Sequence, residues 1–291
     1  NLHRLAQSQR ARILGMILIP VNADHTISLR RAPDVAQACL EAYGEKTEPY
    51  VISLRELLGV ISAHEWRKNG VQVLTRDDEE VRIHPHYGVF SPVRGEYIEL
   101  VLKTPLPSAI KKNSTAFDIG VGTGVLAVVL ALRGIQKIVS TDLDDRAIAC
   151  AQENIECLDL QSQIDVLKTD LFPSGKAALI VCNPPWLPAR PSSSLERAVY
   201  DPESQMLKGF LSNLKNHLLD DGEGWLILSD LAEHLGLRSR DELLNWIEQA
   251  NLKVLARVDT KPTHHKAFDQ TDALHAARSK EVTSLWRLAL K

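Results

Sequence analysis

From Ser114 onward, short apolar runs alternate with stretches of helical periodicity. The runs are "TAFDI" (115–119), "KIVST" (137–141), "QIDVL" (163–167), "AALIVC" (177–182), "GWLILSD" (224–230), "KVLARVD" (253–259) and "TSLWRLAL" (283–290). All are of strand length and rich in β-branched or aromatic residues. Between them, "VLAVVLALRG" (125–134) reads as an apolar helix closed by Gly134, and Asp144 stands as the N-cap of a helix reaching Cys157. Further helices are predicted around 203–219 and 239–250. Buried strands interleaved with helices predict an α/β fold: a Rossmann-like, seven-stranded, mostly parallel sheet with helices on both faces.

The first 80 residues have a different rhythm. Helical segments are predicted around 1–15, 33–43 and 53–68 with little sustained alternation, which reads as a small, mainly helical N-terminal domain. The acidic cluster "RDDEEV" (76–81) marks its end. The predicted division is 1–83 for substrate recognition or another accessory role and 84–291 for the α/β domain, with "HPHYGVFSPVRGEYIEL" (84–100) as the bridge.

Composition narrows the setting. The chain has 291 residues, 44% hydrophobic and 24% charged, which is ordinary for a globular protein larger than one typical domain. "ILGMILIPV" (13–21) is about half of a membrane span and contains Gly and Pro, so no membrane helix is expected. Cys39, Cys150, Cys157 and Cys182 lack CxxC spacing, which suits reduced thiols and a cytoplasmic location. No signal peptide is evident, and the chain opens on Asn1 without a Met, which fits an upstream part that is either removed or not included in this sequence. The formal net charge is −3; residues 1–117 carry 15 Lys+Arg against 13 Asp+Glu, and the remainder 19 against 24. Neither half is a polybasic platform. The first 31 residues do hold five arginines against Asp24 alone, a weakly basic arm that either steers nucleic acid or is plain solvated surface. His264 and His265 are adjacent in a long insertion (260–281), where neighbouring side chains point apart, so no metal site is expected.

The strongest chemical signal is "FDIGVGTG" (117–124). A strand delivers Asp118, and Gly120, Gly122 and Gly124 make a turn without Cβ atoms, against which a ligand can lie on bare backbone beside a helix N-terminus. About 20 residues on, the next strand ends in "STDLDD", placing Asp142 where a carboxylate can accept both hydroxyls of a ribose. A dinucleotide site needs G-x-G-x-x-G to receive a pyrophosphate. Here the spacing is G-x-G-x-G with an acid two residues earlier, which repels phosphate and suits a cationic ligand.

A second signal follows the run 177–182. "NPPW" (183–186) puts two prolines where a strand would continue, so the strand stops at Asn183 and the chain beyond is stiff. Read alone, it is a rigid turn with an aromatic plug.

Together these motifs resemble the class I S-adenosylmethionine-dependent methyltransferases, whose nucleoside-binding turn has the D-x-G-x-G-x-G form of Asp118 to Gly124. The resemblance covers residues 88–291 and leaves 1–80 unmatched. It implies S-adenosylmethionine as cofactor, with Asp118 near its methionine moiety and Asp142, flanked by Leu143, on its ribose. It also implies that Asp170, followed by Leu171, meets the adenine amino group. N-P-P-aromatic is the mark of a subgroup, similar to release-factor glutamine and ribosomal RNA base methyltransferases, that methylates planar nitrogens; Tyr or Phe is commoner than Trp in the fourth place. By that likeness Asn183, Pro184, Pro185 and Trp186 form the catalytic loop, with the Asn183 oxygen and the Pro184 carbonyl accepting the target's N–H groups and Trp186 stacking on it. Arg94 and Glu96, in "GVFSPVRGEY" (88–97), are candidates for cofactor or substrate contact, or a surface pair.

The expected function is therefore transfer of a methyl group to a planar NH2, with a macromolecular acceptor: RNA or the ribosome, or a protein glutamine, with DNA less favoured. Two other readings stand beside it. A nicotinamide-dependent oxidoreductase explains the glycine turn and Asp142 but gives NPPW no task. A catalytically silent binding protein keeps the fold, although Asn183 is intact.

Overall fold

The computed structural model describes residues 9, 12–76, 79–93, 95–189, 200–261 and 275–291. In the N-terminal part, β1 (Leu18–Val21) pairs antiparallel with β2 (Tyr50–Ser53), and helices α1 (Ala36–Tyr43) and α2 (Leu54–Asn69) pack against this ribbon. Val21, Cys39, Ile52, Leu57 and Val60 form its small core. A second ribbon follows, β3 (Val71–Arg76) antiparallel to β4 (Glu79–Ile83). The expectation of a mainly helical unit is thus corrected, since two small sheets accompany the helices. Strands of four residues are too short to establish a period of two, and Pro20 hides one of them. Of the acidic cluster "RDDEEV", the exposed Glu79 and Glu80 pair with Arg76 and Thr75 in this ribbon, which ends at Ile83.

Helix α3 (Glu96–Lys103) leads into one seven-stranded sheet. Its members are β5 (Thr115–Ile119), β6 (Lys137–Asp142), β7 (Ile164–Lys168), β8 (Ala177–Cys182), β9 (Leu218–Ser229), β10 (Leu252–Thr260) and β11 (Thr283–Leu290). The spatial order is β10-β11-β9-β8-β5-β6-β7, with β11 antiparallel to both neighbours and the other pairings parallel. The sheet is mixed, as expected for a mostly parallel one with a reversed strand. Helices α4 (Val125–Leu132), α5 (Asp145–Cys157), α6 (Gln205–His217) and α7 (Arg240–Gln249) connect the strands close to their predicted places. Only β9 departs clearly: it begins six residues before the predicted Gly224, directly at the end of α6.

Period-two alternation divides the core. Ala116, Leu179, Val181, Trp225 and Ile227 face α3, α4 and α5, whereas Phe117, Ile180, Cys182, Leu226 and Trp286 face α6 and α7. Strand β8 is buried along its whole length, which is why its sequence is uniformly apolar rather than alternating. β8, β5 and β6 are adjacent and parallel, so the loops leaving their C-terminal ends gather at one rim of the sheet.

Ile180 is fully buried in β8, three residues before that rim. Ile180→Ala is expected to cost about 2–5 kcal/mol of stability by leaving a cavity in the centre of the sheet. Chemical denaturation of the variant beside wild type checks this.

Candidate active site

At the rim, the turn after β5 is held by the amides of Gly120 and Val121, which both donate to the Thr141 carbonyl at 2.9 and 2.8 Å. Gly122 has φ +52, and a Cβ there would meet nothing within 4 Å, so its backbone lies bare against open space. Gly124 has φ +83 and caps α4; a Cβ there would stand 3.3 Å from the Ala151 Cα, so α5 approaches the turn as closely as glycine permits. The Asp142 carboxylate accepts from the Gly122 amide at 3.1 Å and from the Asp144 amide at 3.0 Å. Backbone therefore fixes its rotamer.

Asp118 is 1% exposed, on the β5 face toward α4, and neither carboxylate oxygen has a hydrogen-bond partner. Burial pushes its pKa well above the usual carboxylate range and the negative charge of Asp142 adds to this, while the backbone amide of Ala127 in α4 opposes the shift. Asp142 is also raised, by burial first, against the backbone amides of Asp144, Gly122 and Leu143. A buried carboxylate without a partner is costly unless a cation meets it. Bare glycine backbone, a fixed carboxylate at Asp142 and an uncompensated one at Asp118 fit S-adenosylmethionine, which carries a diol and cationic centres. They do not suit a pyrophosphate.

A cavity of about 390 Å³ opens beside this turn. Of the residues singled out from sequence, Gly120, Gly122, Asp142, Asn183, Pro184, Pro185 and Trp186 line it. Asp118 and Gly124 lie behind the lining, and Leu143 is 59% exposed beside it. Asp170 is exposed and outside the lining. Leu171 turns through φ +54, with its carbonyl accepting from the Thr141 hydroxyl and its side chain against Gly209. Glu96 is buried at the start of α3, and Arg94 lies outside the described residues, as do His264 and His265.

The loop after β8 closes one wall. Pro184 is buried, and the Trp186 indole N–H donates to the Asn183 Oδ1 at 2.9 Å. Leu187 bridges to Tyr200, and its carbonyl accepts from the Asp201 amide at 2.8 Å. The Asp201 carboxylate in turn accepts from the amides of Met206 and Leu207 at 3.0 and 3.1 Å, tying the loop to the start of α6. Between them Glu203 and Ser204 both hold φ +56, a left-handed conformation that costs non-glycine residues about 1–3 kcal/mol each.

Sequence reasoning missed several walls: Phe90, Tyr97, Tyr200, Met206, Leu231 and Arg278. Phe90 and Tyr97 fall in the segment 88–97 already singled out, but the others have no spacing relation to the motifs. Met206 comes from α6, across the fold from the glycine turn, yet its Cε would stand 2.6 Å from a Cβ on Gly120. Among the described residues no group of His, Cys, Asp and Glu is placed to hold a metal, and no helix is long and apolar enough to cross a membrane.

The family described as Ribosomal protein L11 methyltransferase (PrmA) matches residues 99–184, from α3 to the NPPW loop. A Methanocaldococcus jannaschii protein named "Putative protein N5-glutamine methyltransferase" is 27% identical over 184 residues, 60% of this chain and 87% of that one. A ribosomal protein L11 methyltransferase of Alkaliphilus metalliredigens is 38% identical over 80 residues, 27% of this chain and 25% of its own. The chain thus spans about a quarter of that relative's length. Among solved structures, an L11 methylase from Lactobacillus delbrueckii subsp. bulgaricus aligns over 76% of this chain and 90% of its own, at 18% identity and a TM-score of 0.47.

The buried carboxylate makes a prediction that needs no acceptor. A raised folded-state pKa means that the Asp118 contribution to stability is present below its unfolded pKa and lost as pH rises through the folded value. Asp118→Asn removes that loss. The ligand-free variant should melt higher than wild type by roughly 2–4 °C, what about 1 kcal/mol produces in a chain of this size, with the gap opening as pH rises. It should also bind S-adenosylmethionine more weakly. Thermal melts across pH, with and without S-adenosylmethionine, check both.

Proposed function

We propose that this S-adenosylmethionine-dependent methyltransferase takes as its acceptor the side-chain amide of a glutamine in a protein. The observation that carries the reading is the acceptor end of the cavity. The Asn183 side-chain oxygen and the rigid backbone after it stand among largely apolar walls: Phe90, Trp186, Leu187, Tyr200, Met206 and Leu231. Arg278 is the one cationic residue among the described lining, which is little for a phosphate backbone to hold. A neutral, flat, short amide suits such walls. The name of the Methanocaldococcus jannaschii relative supports the same acceptor, and the L11 methyltransferase match supports a protein substrate in general.

When bound, S-adenosylmethionine supplies a methyl group made electrophilic by its sulfonium. Asp142 would accept the ribose hydroxyls, the turn at Gly120 and Gly122 would give it bare backbone, and Asp118 would offset its positive charge. The remaining difficulty lies with the acceptor, because an amide nitrogen shares its lone pair with its carbonyl. In this reading the Asn183 Oδ1 and the Pro184 carbonyl each accept one N–H of the glutamine amide, holding its plane and turning the lone pair toward the donor. Such orientation is worth up to ~7–11 kcal/mol when the reacting atoms are aligned. The same two oxygens stabilise the positive charge growing on nitrogen. The nitrogen then gives up one proton to water, and the product is a neutral N-methyl amide. Pro184 and Pro185 keep the acceptor oxygens from relaxing as charge develops.

The test is transfer of labelled methyl from S-adenosylmethionine into extract of cells lacking this protein, followed by digestion. Protease, not nuclease, should release the label, with exhaustive enzymatic digestion yielding N5-methylglutamine and acid hydrolysis yielding labelled methylamine. Release by nuclease would move the acceptor to a nucleobase. Asn183→Ala should lower turnover about 100-fold or more while leaving donor affinity nearly unchanged. Asp142→Ala should instead weaken donor binding by about 1–3 kcal/mol, measured by calorimetry.

A further inference from the structure

We propose that Trp186 is a positioning residue that selects the reactive orientation of the Asn183 amide through its indole N–H. The inference rests on the reading of Asn183 as the acceptor of the substrate's N–H. The two ends of an asparagine amide are nearly the same size but opposite in role: the oxygen accepts and the NH2 donates. Rotated by half a turn, Asn183 would present N–H to N–H, and the glutamine amide would be repelled. Something must set the rotamer before substrate arrives.

The indole N–H, a donor that cannot accept, meets the Asn183 Oδ1 at 2.9 Å across three residues of chain. Two prolines lie between donor and acceptor, so the geometry is largely fixed by the backbone. The ring itself is half-buried and packs against the hydrophobic cores of both sheet faces, which leaves it little freedom to swing. A carbonyl oxygen has two lone pairs, so one remains for the substrate while the indole occupies the other. Phe in this place would carry no donor. Tyr would carry one at the far end of its ring, out of step with the position the indole nitrogen takes. The indole N–H is fixed before the reaction, so it costs no reorganisation during it.

The test removes the N–H and nothing else. Trp186 is replaced by 3-benzothienylalanine, in which sulfur stands for the N–H of the same bicyclic ring. Labelled methyl transfer into extract of cells lacking the protein is then measured against extract concentration, in the Asn183 and Asn183→Asp backgrounds. The expected result is a maximal rate about tenfold lower in the Asn183 background, with half-saturating extract and donor affinity unchanged. In the Asn183→Asp background the replacement should cost twofold or less, because a carboxylate presents an oxygen either way round. An equal loss in both backgrounds, or no loss in either, would overturn the positioning role, since stacking or structural support does not depend on which end of residue 183 faces the acceptor. If Asn183→Ala and Asn183→Asp both transfer methyl as well as wild type, the acceptor reading itself falls, and this inference with it.

Discussion

The site depends on a buried carboxyl group beside which the fold places no compensating cation among the described residues. Asp118 sits 1% exposed at the end of a central strand with no hydrogen-bond partner for either oxygen. A structural carboxylate would be capped by a lysine, an arginine or a ring of amides; this one is left waiting. Its neighbours follow from that constraint. The glycine turn leaves room beside it, and Asp142 is pinned by two amides so that it keeps its own orientation instead of moving to share the burden. In the proposed arrangement the electrostatic cost in the ligand-free protein becomes affinity for a cation, which would favour a sulfonium nucleoside over the pyrophosphate-bearing cofactors bound by similar folds.

The acceptor side is built on the opposite principle, with hydrogen bonds that tie the NPPW loop to itself and to the start of α6. Trp186 engages Asn183, Leu187 engages Tyr200 and Asp201, and Asp201 engages the start of α6. The chain of contacts ends in two left-handed residues, Glu203 and Ser204, whose conformational cost is borne by the packing around them. In the proposed arrangement this rigidity matters because the nucleophile is weak, so most of the rate must come from alignment rather than from acid or base chemistry.

How much of this was legible in the sequence varied with the range of the interaction. The sheet was readable because buried parallel strands are apolar from end to end, as in "AALIVC", and because glycines and prolines punctuate them. The motifs were readable because each lies within a few residues at a strand end, where topology places it on one rim. The N-terminal ribbons were not, since four residues such as "YVIS" carry no period and take their form from pairing with a strand some thirty residues away. Met206, Tyr200, Leu231 and Arg278 were invisible for a related reason: they reach the cavity through packing of the opposite sheet face and of loops. The bond between Trp186 and Asn183 depends on two side-chain rotamers, which spacing alone does not determine. The role first given to Trp186, stacking on the target, came from residue type; the hydrogen bond gives its ring nitrogen a task as well.

The central proposal is that burial raises the pKa of Asp118 in the ligand-free protein and that a cationic donor bound beside it lowers that pKa again. Calorimetry of S-adenosylmethionine binding in buffers of different ionisation heat, at mildly acidic and neutral pH, measures the resulting proton exchange directly. The account predicts net proton release on binding by wild type, and its loss in Asp118→Asn. Binding with no proton exchange, or with the same exchange in the variant, would contradict it.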